Sequence, residues 1–213
     1  MIGFRLDQKE DRNILCLGAH CDDIEIGCGG TILKIIENYQ ISHFKWVIFT
    51  SNEMRKEEAT VSAEMFLQNV KSKEIIIKEY RDGFLPFLAT EVKDYFEELK
   101  RAFNPIIIFT HYRDDRHQDH RLVSDLTWNT WRDHLILEYE IPKYDGDLGI
   151  PNFFVPLEEK YIKKRNEIVL KVFKSQASKQ WLHEDIFTSL PRLRGMESVT
   201  KFAEAFYARK ILF

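Results

Sequence analysis

Four short apolar runs, Ile14–Leu17, Trp46–Phe49, Ile75–Ile77 and Ile106–Phe109, punctuate the first half of the chain, and none alternates with polar residues. Each is bounded by polar or turn residues, the pattern of strands buried on both faces within a parallel sheet covered by helices. The intervening segments repeat at helical spacing: Ala59, Ser62, Ala63, Phe66 and Leu67 share one face, as do Val92, Phe96, Leu99 and Phe103. This βαβαβαβ order predicts an α/β fold, an open, doubly wound, mainly parallel sheet with core strand order 3-2-1-4-5. Leu137–Ile141 alternates and predicts a half-exposed strand near an edge. Pro142–Pro156 has no periodicity and predicts a functional loop, and Glu158–Lys174 returns to helical spacing. No repeat, low-complexity tract or linker divides the chain, so residues 1–213 are expected to form a single domain.

Composition narrows the class. Hydrophobic residues make up 44% and charged residues 31%, which describes a globular, water-soluble chain. A net charge of -3 offers no electrostatic reason to expect nucleic acid or an anionic membrane as partner. No apolar stretch approaches a membrane span, and the opening residues, Met1 to Arg12, are polar and acidic, unlike a secretion signal. Three cysteines, an odd number, point to a reducing compartment without a disulfide framework; the expected location is the cytoplasm.

Two dense polar clusters interrupt this ordinary background. Ala19-His20-Cys21-Asp22-Asp23 follows the first apolar run, and His111 to His120 follows the fourth. In a 3-2-1-4-5 sheet those strands are neighbours at the point where the chain reverses, and the loops leaving their carboxyl ends open the usual ligand crevice. His20 and Asp23, three apart, can address one ion, with His120 as a third ligand from across the crevice. Two imidazoles and one carboxylate suit Zn²⁺, with other divalent transition metals compatible, and three protein ligands leave a position for water. Asp22, not spent as a ligand, can accept the water's proton. His117 can stabilise an oxyanion as an imidazolium or donate to the leaving group, and Asp119 can hydrogen-bond an imidazole and fix its tautomer.

These residues resemble the LmbE-like/PIG-L family of zinc-dependent N-deacetylases. The family's paired signatures, an A-H-P-D-D element after the first strand and an H-x-D-H element after the fourth, are met by Ala19–Asp23 with Gly29-Gly30-Thr31 downstream, and by His117–His120. The resemblance implies a Rossmann-like fold and removal of an N-acyl group, usually acetyl, from a small-molecule amino sugar or sugar conjugate. It maps the zinc ligands onto His20, Asp23 and His120, the general base onto Asp22, and the acid or oxyanion histidine onto His117. It covers residues 14 to 125 well, and beyond them only Ala203-Glu204-Ala205-Phe206. Cys21 stands where proline is usual, and Ile24 where glutamate is often found.

Arg55 and Asp82, in loops after the second and third strands, are candidates for substrate contact; a solvated helix-opening residue is the plainer reading of Arg55. His111 reads either as a strand-end cap or as pocket wall. The Tyr144–Phe154 loop, aromatic and acidic, is the candidate for substrate selection. Cys21 reads best as a small apolar filler, Cys16 and Cys28 as buried thiols. Three rivals are weighed. A dinucleotide-binding reading lacks G-x-G-x-x-G; a Mg²⁺ phosphohydrolase leaves His20, His117 and His120 unexplained; a non-catalytic metal- or sugar-binding module leaves Asp22 without a role. The fold class is also compatible with a homo-oligomer.

Overall fold

The computed structural model describes residues 12–211. Of the polar opening segment, only Arg12 falls within them. The strands are β1 (Asn13–Gly18), β2 (His43–Thr50), β3 (Lys73–Tyr80), β4 (Ile107–His111), β5 (Leu135–Tyr139), β6 (Phe153–Leu157) and β7 (Phe202–Ala208). The helices are α1 (Asp23–Asn38), α2 (Glu53–Phe66), α3 (Ala89–Ala102), α4 (Gln118–Thr130), α5 (Glu159–Val172) and α6 (Glu184–Glu197). All seven strands join one sheet in the order β3-β2-β1-β4-β5-β7-β6. The predicted 3-2-1-4-5 core is present and parallel, and β7 runs antiparallel between β5 and β6.

The unbroken apolar runs have a simple cause. Alternate residues of each central strand enter two separate cores, so both sides must be apolar. Ile14 and Cys16 of β1 join Trp46, Ile48 and Phe109 in a core shared with Ile24, Cys28 and Ile32 of α1, Ala59, Ala63 and Phe66 of α2, and Ile168 of α5. Leu15 and Leu17 point the other way, into Val47, Phe49 and Ile108 with Val92, Phe96 and Leu99 of α3 and Val123 of α4. A helical layer on each face follows from that division. Among the described residues no helix is long and apolar enough to cross a membrane.

The glycines after β1 serve close packing. A Cβ on Gly27 would stand 2.2 Å from the Tyr139 ring, and one on Gly30 would stand 2.7 Å from Leu157 and 2.8 Å from the Glu204 carboxylate. Their absence lets α1 lie against β5 and β7, which is helix–sheet packing and not a phosphate cradle.

Two expectations need correction. The strand predicted over Leu137–Ile141 is not near an edge: β5 lies between β4 and β7, and its last four residues are buried. The misleading alternation comes from Glu138 and Glu140, both buried. Glu138 accepts from Arg113 and Trp128, and Glu140 from Arg194 and Tyr207. Those partners are too distant in sequence to be read from the local pattern. Nor is Pro142–Pro156 irregular throughout. From Phe153 it forms β6, where Pro156 is tolerated because an edge strand has one side without ladder bonds.

Candidate metal centre and active site

The loop leaving β1 is fixed by its neighbours on both sides. Thr50, ending β2, donates its amide and its hydroxyl to the Ala19 carbonyl, each at 2.8 Å. From β4, His111 Nε2 accepts the Ala19 amide proton at 2.9 Å. Cys21 Sγ lies 3.3 Å from the Thr50 carbonyl, and burial pushes its thiol up to about 12. Cys21 is therefore a neutral filler in a loop that is held by Thr50 and His111 without proline.

Within that frame the two polar clusters meet. His20 Nδ1 lies 3.0 Å from His120 Nε2 and 3.3 Å from Asp23 Oδ2, and His120 Nε2 lies 3.5 Å from Asp23 Oδ1. Donors about 2 Å from a tetrahedral ion stand about 3.3 Å apart, so these contacts, made through both Asp23 oxygens, have the spacing of neighbouring ligands around one ion. Tautomers sharpen the fit. Asp115 Oδ2 faces His120 Nδ1 at 2.9 Å, which places the His120 proton on Nδ1 and a lone pair on Nε2. Asp82 Oδ1 and Asp119 Oδ2 lie 3.1 and 3.4 Å from His20 Nε2, near enough for electrostatic attraction although neither is aligned as a hydrogen bond. The His120 lone pair and the Asp23 carboxylate thus both face His20 Nδ1, an arrangement that favours positive charge, a proton or a metal ion, among them.

The titration behaviour agrees. Burial, reinforced by His111, lowers His120 to about 4. Burial also works to lower His20, but Asp23, Asp119 and Asp82 outweigh it and raise it well above the ordinary histidine value. The acids around His20 thus favour positive charge at this place. Residues His20, Asp23 and His120 fit a divalent metal by geometry and by donor type. Among the described residues three overlapping sets each keep their donor atoms within 4.8 Å of one another: His20 with His117 and His120, Asp23 with His111 and His120, and His20 with Asp82 and Asp119.

The remaining expected residues surround this cluster. Asp22 is buried, which raises its carboxyl, while Arg55 Nη2 at 3.0 Å opposes the rise. Arg55 therefore occupies the crevice, and its visible contact there is Asp22. Asn52 accepts from the Arg55 amide at 3.0 Å and caps α2. Asp82 is largely exposed on the loop after β3. His111 is fully buried, 3.2 Å from Asp23 Oδ2 and stacked on His120 with ring centroids 3.9 Å apart. It is an inner wall of the site as well as a clamp on Ala19.

His117 and Asp119 differ from expectation in detail. His117 Nδ1 accepts the Asp119 amide proton at 3.3 Å, and burial together with His20 lowers its pKa. Both the accepted amide proton and the lowered pKa run against the expected imidazolium. The Asp119 carboxylate approaches His20, but its hydrogen bonds come from the amides of Gly83 at 2.7 Å and Leu85 at 3.1 Å. It shapes the loop that carries Asp82, where Gly83 adopts φ 78°.

Three residues at the site escaped the sequence reading. Asp115, not Asp119, is the carboxylate on His120, and Lys143 and Asp147 brace it from the loop after β5. The Asp114-Asp115 pair inside the second cluster was the available signal. Nothing local marked Lys143.

Comparison with known proteins places this arrangement. A family model described as PIG-L, GlcNAc-PI de-N-acetylase, matches residues 15–131, more than half of the 213-residue chain. The chain belongs to the PIG-L family. Proteins of the same fold as this PIG-L member are found among solved structures. The conserved protein TT1542 from Thermus thermophilus superposes with TM-score 0.71 at 19% identity, covering 94% of this chain and 96% of that one. The N,N'-diacetylchitobiose deacetylase from Pyrococcus horikoshii gives 0.68 at 20% identity, covering 95% and 86%. GalB, a 4-carboxy-2-hydroxymuconate hydratase from Pseudomonas putida, gives 0.69 at 15% identity, covering 95% and 98%. At such identities these likenesses establish the shared fold, and the hydratase among them shows that the fold does not dictate one reaction.

Proposed function

We propose that this protein is a metal-dependent hydrolase that removes an N-acyl group, acetyl by preference, from an amino sugar or sugar conjugate, working as one domain. The observation that carries the reading is the convergence of the His20, Asp23 and His120 donors at 3.0–3.5 Å, with the Asp22 carboxylate beside them. Family membership favours de-N-acetylation over the hydratase chemistry found on the same fold.

His20, Asp23 and His120 would hold the metal. Bound Zn²⁺ supplies a Lewis acid for the acyl carbonyl and lowers the pKa of water from about 15.7 toward about 7. Asp22 accepts the proton of the attacking water, and Arg55 holds that carboxylate in place and opposes the rise in its pKa that burial causes. As the acyl carbon becomes tetrahedral, the neutral His117 donates its Nε2 proton as a hydrogen bond to the developing oxyanion. The departing amine then takes the proton collected by Asp22, which balances the reaction to a free amine and a carboxylate. Asp82, exposed and tied through its loop to Asp119, is placed to meet sugar hydroxyls.

Screening N-acetylated sugars and nucleotide sugars for released primary amine tests the reading. Release that stops on chelation and returns with Zn²⁺ or another divalent transition metal supports it. Absence of amine release from the whole panel by metal-loaded protein would refute it.

A further inference from the structure

We propose that Lys143 is a positioning residue of the metal centre, which makes the loop between β5 and β6 part of the metal-binding apparatus although it supplies no ligand. The inference rests on the metal site proposed above. Asp115 is the junction. It is 2% exposed, and its two oxygens divide their work. Oδ1 accepts the His117 amide proton at 2.8 Å; Oδ2 accepts from His120 Nδ1 at 2.9 Å and from Lys143 Nζ at 2.8 Å. One carboxylate therefore orients a metal ligand, fixes the backbone of the oxyanion histidine and meets a cation from another segment.

Lys143 is itself held. Its Nζ lies 2.8 Å from Asp147 Oδ1 and 2.6 Å from Asp147 Oδ2, and Asp147 Oδ2 accepts the Arg116 amide proton at 2.7 Å. The loop is thus pinned to the segment before α4 at two places, Lys143–Asp115 and Asp147–Arg116. Physical chemistry gives the ammonium a specific task. Asp115 is a buried carboxylate, and its two other donors, the His117 amide and His120 Nδ1–H, bring no full positive charge to it. Removing the ammonium frees Oδ2 to rotate away from His120, and with it goes the constraint that aims the Nε2 lone pair at His20 and Asp23. Outer partners of metal-ligating histidines typically change metal affinity by roughly 10–100-fold.

The test is titration of the chelator-treated full chain with Zn²⁺ against a chromogenic chelator, alongside a thermal melt of each metal-free variant. Lys143→Met and Asp115→Asn are each expected to weaken Zn²⁺ binding by roughly 10–100-fold. The double variant should bind no more weakly than Asp115→Asn alone, because Lys143 acts through Asp115. Lys143→Arg, which restores the cation, should recover most of the affinity. A Lys143→Met protein that melts normally and binds Zn²⁺ as tightly as the parent would overturn the inference and leave the metal site standing. A parent chain that binds no metal would instead bring down the underlying reading. Should Lys143→Met fold poorly, Lys143→Gln takes its place, and a Lys143→Gln protein that melts normally and binds Zn²⁺ as tightly as the parent also overturns the inference.

Discussion

Buried carboxylates occur in two regions of this molecule, and they are treated in opposite ways. Where α5 and α6 pack against the sheet, Glu204 of β7 and Glu140, just after β5, are each matched to an arginine. Glu204 accepts from Arg165 at 3.0 Å and from the Gly30 and Thr31 amides at 2.9 and 2.7 Å. Glu140 receives Arg194 at 2.8 and 2.9 Å. At the carboxyl ends of β1 and β4, by contrast, Asp23 faces three imidazoles and no permanent cation, and Asp22 has a single arginine. Glu204 and Glu140 are self-sufficient, whereas Asp23 awaits a cation. Stability is stored where charges are already matched, and chemistry resides where they are not.

The largest predicted effect falls on the unmatched side. Asp22→Asn should lower turnover by roughly 10²–10⁴-fold, the usual worth of a general base, with metal content unchanged when it is measured in the same preparation. Equal activity in that variant would remove Asp22 from the mechanism. On the matched side, Arg165→Met leaves Glu204 buried without its cation and should cost about 3–5 kcal/mol in denaturant unfolding. A silent result there would erase the distinction between the regions. Metal removal should destabilise the protein by about 2.7 kcal/mol relative to a solution holding the ion at a hundred times its dissociation constant, read as a melting shift on chelation. Gly27→Ala probes the seam between the regions. Its methyl would press on Tyr139, whose hydroxyl donates to the Leu17 carbonyl at 2.7 Å, and should cost about 1–3 kcal/mol.

The same contrast explains what could be read from residue order. The core strands and the clusters at His20 and His117–His120 carry local signatures: apolar runs for burial on both faces, and dense acids and histidines at strand ends. The pairs Glu138–Arg113 and Glu140–Arg194 carry none, because an acid and a base separated by 25 or 54 residues each look solvated in isolation. That concealed the interior position of β5. Lys143 was hidden for the same reason, since a lysine in a loop reads as surface until its carboxylate is found on another element. His117 was located by its motif, but its charge state depends on the Asp119 amide and on burial, which are properties of the folded helix terminus.

The strut from Glu204 to the middle of α1 has a bearing on how the chain can be divided. A fragment ending at residue 131, where the matched family segment stops, would retain every proposed donor. It would nevertheless expose the flank of the helix that begins at Asp23, stripping it of β7 and of the arginine behind it. The terminal third works as a backrest for the catalytic loop, and trimming it would disarm a set of ligands to which it contributes none.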